Sequence, residues 1–502
     1  MSTLLLGSFM DGLLSVVVKI NQYLSDYVLI FLLVGTGLYF TIRTKFVQVR
    51  CFGEGMKNVF GKLSLNGEKQ KSGLSSFQAL ATAIAAQVGT GNIIGASGAI
   101  IVGGPGAIFW MWVIAFFGMA TIYAEAVLAQ KTRVVNEDGT ISGGPVYYIK
   151  KAFKGTLGKA MAVFFAVAII LALGFMGTMV QSNSIASTMS TAIGVSEDSK
   201  KIVQMIIGIV LVVLTGFILL GGIKRIASFT EKMVPFMAIF YLLGGIVLLC
   251  INITDVPRAF AMIFEYAFTP NAVIGGSIGY AIKTAISQGA KRGLFSNEAG
   301  MGSTPHAHAQ ANVKDPHDQG TTAMIGVFID TFIVLTMTAL IVITVMYAGN
   351  QSVAESGNLT AWFTANNIDK TNIVQASFAQ SFGNETFGNL FVAICLLFFA
   401  FSTIIGWNYF GKINVEYLFG KKGVTVYTIL SLAFIFLGSI LSNDLVWELA
   451  DTFNFLMVIP NAIALIALSG VVVSIAKATK NKDKQEELRE TLDKVEKNSV
   501  VE

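Results

Sequence analysis

The sequence predicts an all-α polytopic membrane protein with eleven transmembrane helices: one N-terminal span, then a ten-span core built as two inverted halves of five. Three observations carry this. Of 502 residues, 54% are hydrophobic and only 13% charged, a balance that a water-soluble domain does not show. Apolar stretches of about 20 residues, the length needed to cross a bilayer, recur along the whole chain. Two of these stretches, at matching places in the two halves, are interrupted by glycine and polar residues. Interruptions paired in this way mark secondary carriers whose site lies between the halves.

Taken in order, residues 1–73 hold an N-terminal helix, the first span at about 26–42 and a basic loop. Met1–Tyr27 carries no basic residue before Lys19. It therefore reads as an amphipathic surface helix rather than a cleaved signal. The first half, 74–252, has spans near 75–102, 107–130, 157–190, 202–221 and 233–251. Gly103–Gly106 makes a tight turn between two of them and lacks the Gly-Lys-Ser/Thr ending of a phosphate loop. The second half, 253–476, has spans near 271–299, 320–347, 387–410, 424–442 and 446–476. Its longest outside segment, about 348–385, is expected to carry a lid helix near Val374–Phe382. The tail 477–502 is charged and reads as a solvated helix or a disordered segment.

Basic residues set the orientation. Of the 35 Lys and Arg, the outer side is assigned Lys19, Lys200, Lys201, Arg258 and Lys370, and Lys283 falls inside a span. All others, Lys291 and Arg292 included, are assigned to the inner side. The expectation is an external N-terminus, a cytoplasmic C-terminus and residence in the plasma membrane. Cys51, Cys250 and Cys395 are scattered and odd in number, so neither a disulfide framework nor a metal site is expected of them.

The first interruption is Ala85-Ala86-Gln87-Val88-Gly89-Thr90-Gly91-Asn92. Glycine weakens a helix interior by about 1 kcal/mol relative to alanine, and Asn and Thr offer the backbone competing hydrogen bonds. A break at Val88–Gly91 follows. Such a break frees N–H groups that suit an anion and C=O groups that suit a cation. An intact helix whose glycines serve close packing is the alternative. The second interruption is read at Gln288-Gly289-Ala290-Lys291-Arg292-Gly293, and Pro235 and Pro460 occupy the fifth and tenth core spans.

Gly103-Gly104-Pro105-Gly106-Ala107-Ile108-Phe109-Trp110-Met111-Trp112 and the run Gln288–Gly300 resemble the two characteristic segments of the sodium:alanine symporter (alanine or glycine:cation symporter) family. The resemblance implies a leucine-transporter-like fold and sodium-driven uptake of small neutral amino acids. It also implies site residues. Gly89-Thr90-Gly91-Asn92 looks like the first-helix break of sodium-coupled transporters of this fold, where amides hold the substrate carboxylate. Carried over, the sodium ligands are the carbonyls of Ala85, Val88 and Phe399 and the hydroxyls of Ser402 and Thr403.

Read residue by residue, Ser402 and Thr403 either supply hard oxygens to sodium or bond to carbonyls of their own helix. Asn92 either takes sodium or caps the outer half-helix. Gln87 either meets the substrate amine or satisfies broken backbone. Thr90 and Gly91 offer amides to a carboxylate, while Ser287, Gln288 and Gly289 are the substrate candidates at the second interruption. Phe175 and Trp407 are either pocket walls or packing. Asp330 and Glu125 are acidic residues in spans, functional by default. Asp330 falls where relatives place an ion ligand or charge partner; for Glu125, snorkelling or pairing with Arg133 suffices. Glu298 is expected to serve as a gate or to pair with Arg292, and His306, His308 and His317 lack metal-site spacing.

The expectation is a symporter of alanine or glycine with sodium as coupling ion, and not an enzyme. No cofactor, nucleic acid or obligatory protein partner is implied; the partners are substrate, sodium and the lipid bilayer. A proton-coupled carrier of the same fold, using Asp330 or Glu125, is the alternative.

Overall fold

The computed structural model describes residues 2–61, 73–137, 139–268, 278–350, 359–441 and 444–478. The tail beyond 478 and the loop at 62–72 lie outside the described residues. The described chain is almost entirely helical, with one small hairpin, Val134–Val135 paired to Ile141–Ser142.

Helix α1 joins Ser2–Tyr23, a π-helical stretch Leu24–Leu29 and Ile30–Arg43. The N-terminal segment expected to lie on the surface is thus continuous with the first span. Asn21 explains part of this, because its amide donates to the Glu448 carboxylate over 2.6 Å and ties that level of α1 to another helix. Helix α2, Phe52–Phe60, follows on the same side as the end of α1.

The first core span is two helices, α3 (Ser76–Gln87) and α4 (Gly91–Gly103), bent by 49° at the residues between them. A capping box of Ser75 and Gln78 starts α3. Val88 ends it in an extended conformation, φ −79° and ψ 93°. Helices α5 (Gly106–Thr132), α6 (Pro145–Ala152), α7 (Gly155–Ile193), α8 (Glu197–Leu220) and α9 (Gly222–Ile251) follow. Helix α9 runs through Pro235.

After α10 (Val256–Phe268), helix α11 spans Ile278–Asn297 without interruption. The sequence placed a break at Gln288–Gly293; the break falls instead beyond Asn297. Glu298, Gly300 and Gly302 there all have positive φ, at 57°, 91° and 80°, and a short turn of helix, Pro305–His308, follows. The glycines of the expected break serve packing. A Cβ on Gly289 would lie 2.7 Å from Trp110 Cβ and 2.9 Å from the Ala107 carbonyl oxygen of α5.

The consequence for charge is direct. Lys291 and Arg292 lie before the break, in the half of α11 that meets Glu448 and Asp451. Lys291 Nζ stands 2.8 Å from Asp451 Oδ2 and Arg292 3.4 Å from the same oxygen. Lys370, which the sequence assigned to the opposite side from these two, sits over the Trp447 ring at 5.0 Å, as Arg292 does at 5.8 Å. Lys291, Arg292 and Lys370 therefore share one end of the molecule.

Helix α12 is Pro316–Ala348. A helix stands where the lid was expected, α13, Ile373–Phe382, with Phe378 packed on Phe391 at 4.8 Å. Helix α14, Glu385–Ile440, has 56 residues and a kink where Gly420 takes φ 69°. Gly420, whose ψ is −174°, is not helical, so two helices meet at this kink. Helix α15 is Asp444–Ala467. Among the described residues, 8 helices are long and apolar enough to cross a membrane, or 9 with the bent pair α3/α4. The chain is a multi-pass membrane protein.

Candidate functional site

The site forms where α3 stops. Buried backbone polar groups require partners, and the residues freed by the turn at Val88–Thr90 are met from four other helices.

From α14 come two hydroxyls. Thr403 Oγ1 donates toward the carbonyls of Ala85 (3.0 Å), Val88 (3.3 Å) and Phe399 (3.0 Å). Ser402 Oγ stands 3.4 Å from the Ala85 carbonyl and 2.8 Å from that of Phe399. The five oxygens named from the sequence thus converge at one fully enclosed place, since Ser402 and Thr403 are both 0% exposed. One hydroxyl proton cannot serve three carbonyls at once, so this cluster is richer in acceptors than in donors. That is the character of a site for a small hard cation. Gly89 is required here: a Cβ on it would overlap Thr403 Oγ1.

Asn92 caps the turn, its Oδ1 accepting from Gly89 N over 3.0 Å. Its Nδ2 donates to Asp330 Oδ1 of α12 over 2.6 Å. The Asp330 carboxylate also accepts from Ser296 Oγ (2.9 Å) and Thr331 Oγ1 (2.8 Å). Asn92, Ser296 and Asp330 form one polar chain joining α4, α11 and α12.

The end of α11 faces the first break. Gln87 Nε2 donates to the Asn297 carbonyl over 2.6 Å. A Cβ on Gly91 would meet Ser296 Cα at 3.0 Å and the Phe295 carbonyl oxygen at 3.2 Å. From α7, Gln181 Oε1 accepts from Thr90 N over 3.2 Å. Thr90 Oγ1, Gln87 Oε1 and Gln181 Nε2 are buried around this turn with no hydrogen-bond partner among the described residues. Such atoms are rare in folded proteins, and both donor and acceptor capacity remains beside the freed backbone.

Of the other sequence candidates, Ser287–Gly289 and Phe175 lie elsewhere, whereas Trp407 borders the end of α11. Ser287 Oγ donates to Asp26 Oδ1 over 2.6 Å, and Gln288 and Gly289 lie along α4 and α5, two turns before the residues that meet the break. Phe175 packs on Phe434 at 4.7 Å and Tyr427 at 5.5 Å. Trp407 sits edge-on to Phe295 at 5.8 Å, and its indole N–H donates to Glu298.

Neither Glu125 with Arg133 nor Glu298 with Arg292 forms an ion pair among the described residues, and each acid serves the second break instead. Glu125 accepts from Gly300 N (3.2 Å), Gly302 N (2.9 Å) and Asn461 Nδ2 (2.6 Å). Arg133, eight residues on and about 12 Å further along the helix, donates to the carbonyls of Ala309 and Ala311. Glu298 accepts from Ser303 and Trp407, while Arg292 belongs to Asp451. His306 bonds through both ring nitrogens, to the Ser303 carbonyl and Asn414, and His308 to Gln319. Burial pushes His306 down to about 4 and His308 to about 3, so both are neutral.

Sequence reasoning missed Gln181, Ser296 and Asn297. Gln181 carried a signal, a carboxamide inside an apolar span. Ser296 and Asn297 were masked by the misplaced break.

Residues 10–494 match the family described as "Sodium:alanine symporter family". The chain is 43% identical over 465 residues to the sodium/alanine symporter AgcS of Methanococcus maripaludis, covering 92% of this chain and 96% of that one. It is 39% identical over 480 residues to the putative sodium/proton-dependent alanine carrier protein YrbD of Bacillus subtilis, covering 93% of each. To the probable sodium/glutamine symporter GlnT of Bacillus subtilis it is 38% identical over 458 residues, covering 91% and 88%. Among solved structures, MhsT in complex with L-phenylalanine superposes with a TM-score of 0.58 at 12% identity, covering 80% of this chain and 90% of that one, a likeness of fold.

Proposed function

The chain belongs to the sodium:alanine symporter family, and from that premise we propose that it is a sodium-coupled symporter importing alanine or glycine by alternating access. It is a carrier and not an enzyme. One observation supports sodium above the rest: the convergence of the Ala85, Val88 and Phe399 carbonyls with the hydroxyls of Ser402 and Thr403. In this reading those five oxygens hold sodium, and an inward-negative potential adds about 2.3 kcal/mol per charge per 100 mV to its entry.

The substrate lies between the two breaks. Its carboxylate meets the backbone and side chain at Thr90–Gly91 with the Gln181 carboxamide. Its ammonium meets the Gln87 carbonyl oxygen and the carbonyls at the end of α11. Phe295–Asn297 take the role expected of Ser287–Gly289. The two half-helix ends face one another, because Gly91 brings α4 against the Phe295–Ser296 backbone.

The proposed topology has eleven spans, with α11 and the two parts of α14 among them. It divides into a leading segment 1–73, inverted halves 74–252 and 253–476, and a tail 477–502. It places the N-terminus outside and the C-terminus in the cytoplasm of a cell with this protein in its plasma membrane. The second reading, proton coupling, is favoured by one observation, a buried Asp330 carboxylate bonded to Asn92 at the first break.

Uptake of labelled alanine into proteoliposomes tests the proposal. Uptake is expected to need inward sodium and to persist when the pH gradient is collapsed. Uptake that follows the proton gradient in sodium-free buffer would overturn it.

A further inference from the structure

Away from the transport site, three potential metal ligands come together from two elements. Cys51, Glu54 and His317 each offer one donor atom, and these atoms all lie within 4.8 Å of one another. We propose that they form a binding site for a divalent transition-metal ion of the zinc class.

The local structure presets the ligands. Cys51 directly precedes α2 and Glu54 lies in its first turn, so both fall on one face three residues apart. Helix α2 is pressed against the start of α12. A Cβ on Gly55 would stand 2.8 Å from the Thr321 carbonyl oxygen, and Asn58 donates to Thr321 Oγ1 over 3.2 Å. His317 sits in the first turn of α12, its amide capped by Asp315 over 3.0 Å. Its Nδ1 is engaged by the Tyr123 hydroxyl at 2.7 Å. Its Nε2 faces Glu54 Oε2 at 3.2 Å. An imidazole oriented through its second nitrogen by an outer partner is the usual arrangement of a metal-ligating histidine.

Distance, charge and access agree. Zinc bonds of about 2.3 Å to sulfur and about 2.0 Å to nitrogen and oxygen put tetrahedral ligand atoms about 3.3–3.6 Å apart, close to the spacing between His317 and Glu54. A thiolate, a carboxylate and a neutral imidazole cancel the charge of a dication, which suits a place where Cys51 is 4% and His317 1% exposed. The thiolate selects the zinc class over magnesium or calcium, which take oxygen. The Glu54 side chain is 35% exposed, giving the ion an entry path and a water for the fourth position. The bland alternative is a His317–Glu54 ion pair beside an inert thiol, and it predicts no metal affinity.

Chelator-treated protein in detergent, titrated with Co2+, separates the two. The expected result is one ion per chain with a thiolate-to-cobalt charge-transfer band that Zn2+ abolishes by displacement. Cys51→Ser should lose the band, whereas Cys250→Ser, which changes an exposed cysteine outside the cluster, should keep it. Glu54→Gln, at the partly exposed ligand, should weaken Co2+ binding at least tenfold and serves even if Cys51→Ser fails to fold. No charge-transfer band in the wild type, a band surviving in folded Cys51→Ser, or wild-type affinity in Glu54→Gln would overturn the site.

Discussion

The side chain of Gln87, the last residue of α3, donates to the carbonyl of Asn297, the last residue of α11, across 2.6 Å. One side-chain amide therefore ties the end of the first broken span to the end of the other. Leaving a buried carbonyl without its donor costs about 1–3 kcal/mol. Gln87→Ala is expected to weaken alanine affinity about tenfold (1.4 kcal/mol) with protein levels preserved. Binding titration in saturating sodium checks this, and unchanged affinity would mean that the two ends hold their places without the link.

Thr403→Ala removes one of the five oxygens at the proposed sodium site, while Thr403→Ser keeps it. The sodium concentration for half-maximal uptake should rise by about tenfold or more in the alanine variant, on the scale of a lost charge-assisted interaction of about 1.5–3 kcal/mol. The serine variant should stay close to wild type. Equal sodium curves for both variants and the wild type would remove Thr403 from the ligands.

Gly91→Ala places a methyl 3.0 Å from Ser296 Cα and 3.2 Å from the Phe295 carbonyl. Overpacking of this kind costs about 1–3 kcal/mol. Alanine binding should weaken by roughly tenfold in a protein that still inserts and folds. Calorimetric titration with alanine in saturating sodium reads the effect; near-wild-type affinity would show that the end of α11 retreats freely and that no substrate is gripped there.

Asp330→Asn keeps the shape but replaces one acceptor of a carboxylate that takes bonds from Asn92, Ser296 and Thr331. Under sodium coupling the half-saturating sodium concentration should rise and the pH profile of uptake should keep its form. A variant with an unchanged sodium curve and a flattened pH profile would transfer coupling to the proton.

Orientation is checked in a background lacking Cys51, Cys250 and Cys395. Ser2→Cys should react with an impermeant thiol reagent applied to intact cells, and Ser499→Cys should react only after permeabilisation. The reverse pattern would invert the topology.

Much of this was legible in the residues themselves. The break expected at Val88–Gly91, from glycine, threonine and asparagine in an apolar run, falls between Gln87 and Gly91. The same local chemistry, with the family resemblance, named Ala85, Val88, Phe399, Ser402 and Thr403, which the fold brings together. The helix near Val374–Phe382 was equally local. Charge assignment was misled, because Lys291 and Arg292 lie between Gly289 and Gly293 and looked like loop residues until Asp451 supplied their partner.

The sequence by itself determined the membrane class and the first break. In that break short-range hydrogen bonding competes with the helix inside a few residues. Only the tertiary structure decided where the second break falls. Glycine permits both a turn and a close approach, so Gly289 and Gly300 are ambiguous until their neighbours are known. Gly289 is held helical against Trp110 and Ala107. Gly300 and Gly302 leave the helix because Glu125, 175 and 177 positions away in the chain, accepts their freed amides, with Asn461 beside it. A broken backbone is stable at depth only where distant side chains complete its hydrogen bonds, and those side chains are adjacent only once the chain has folded.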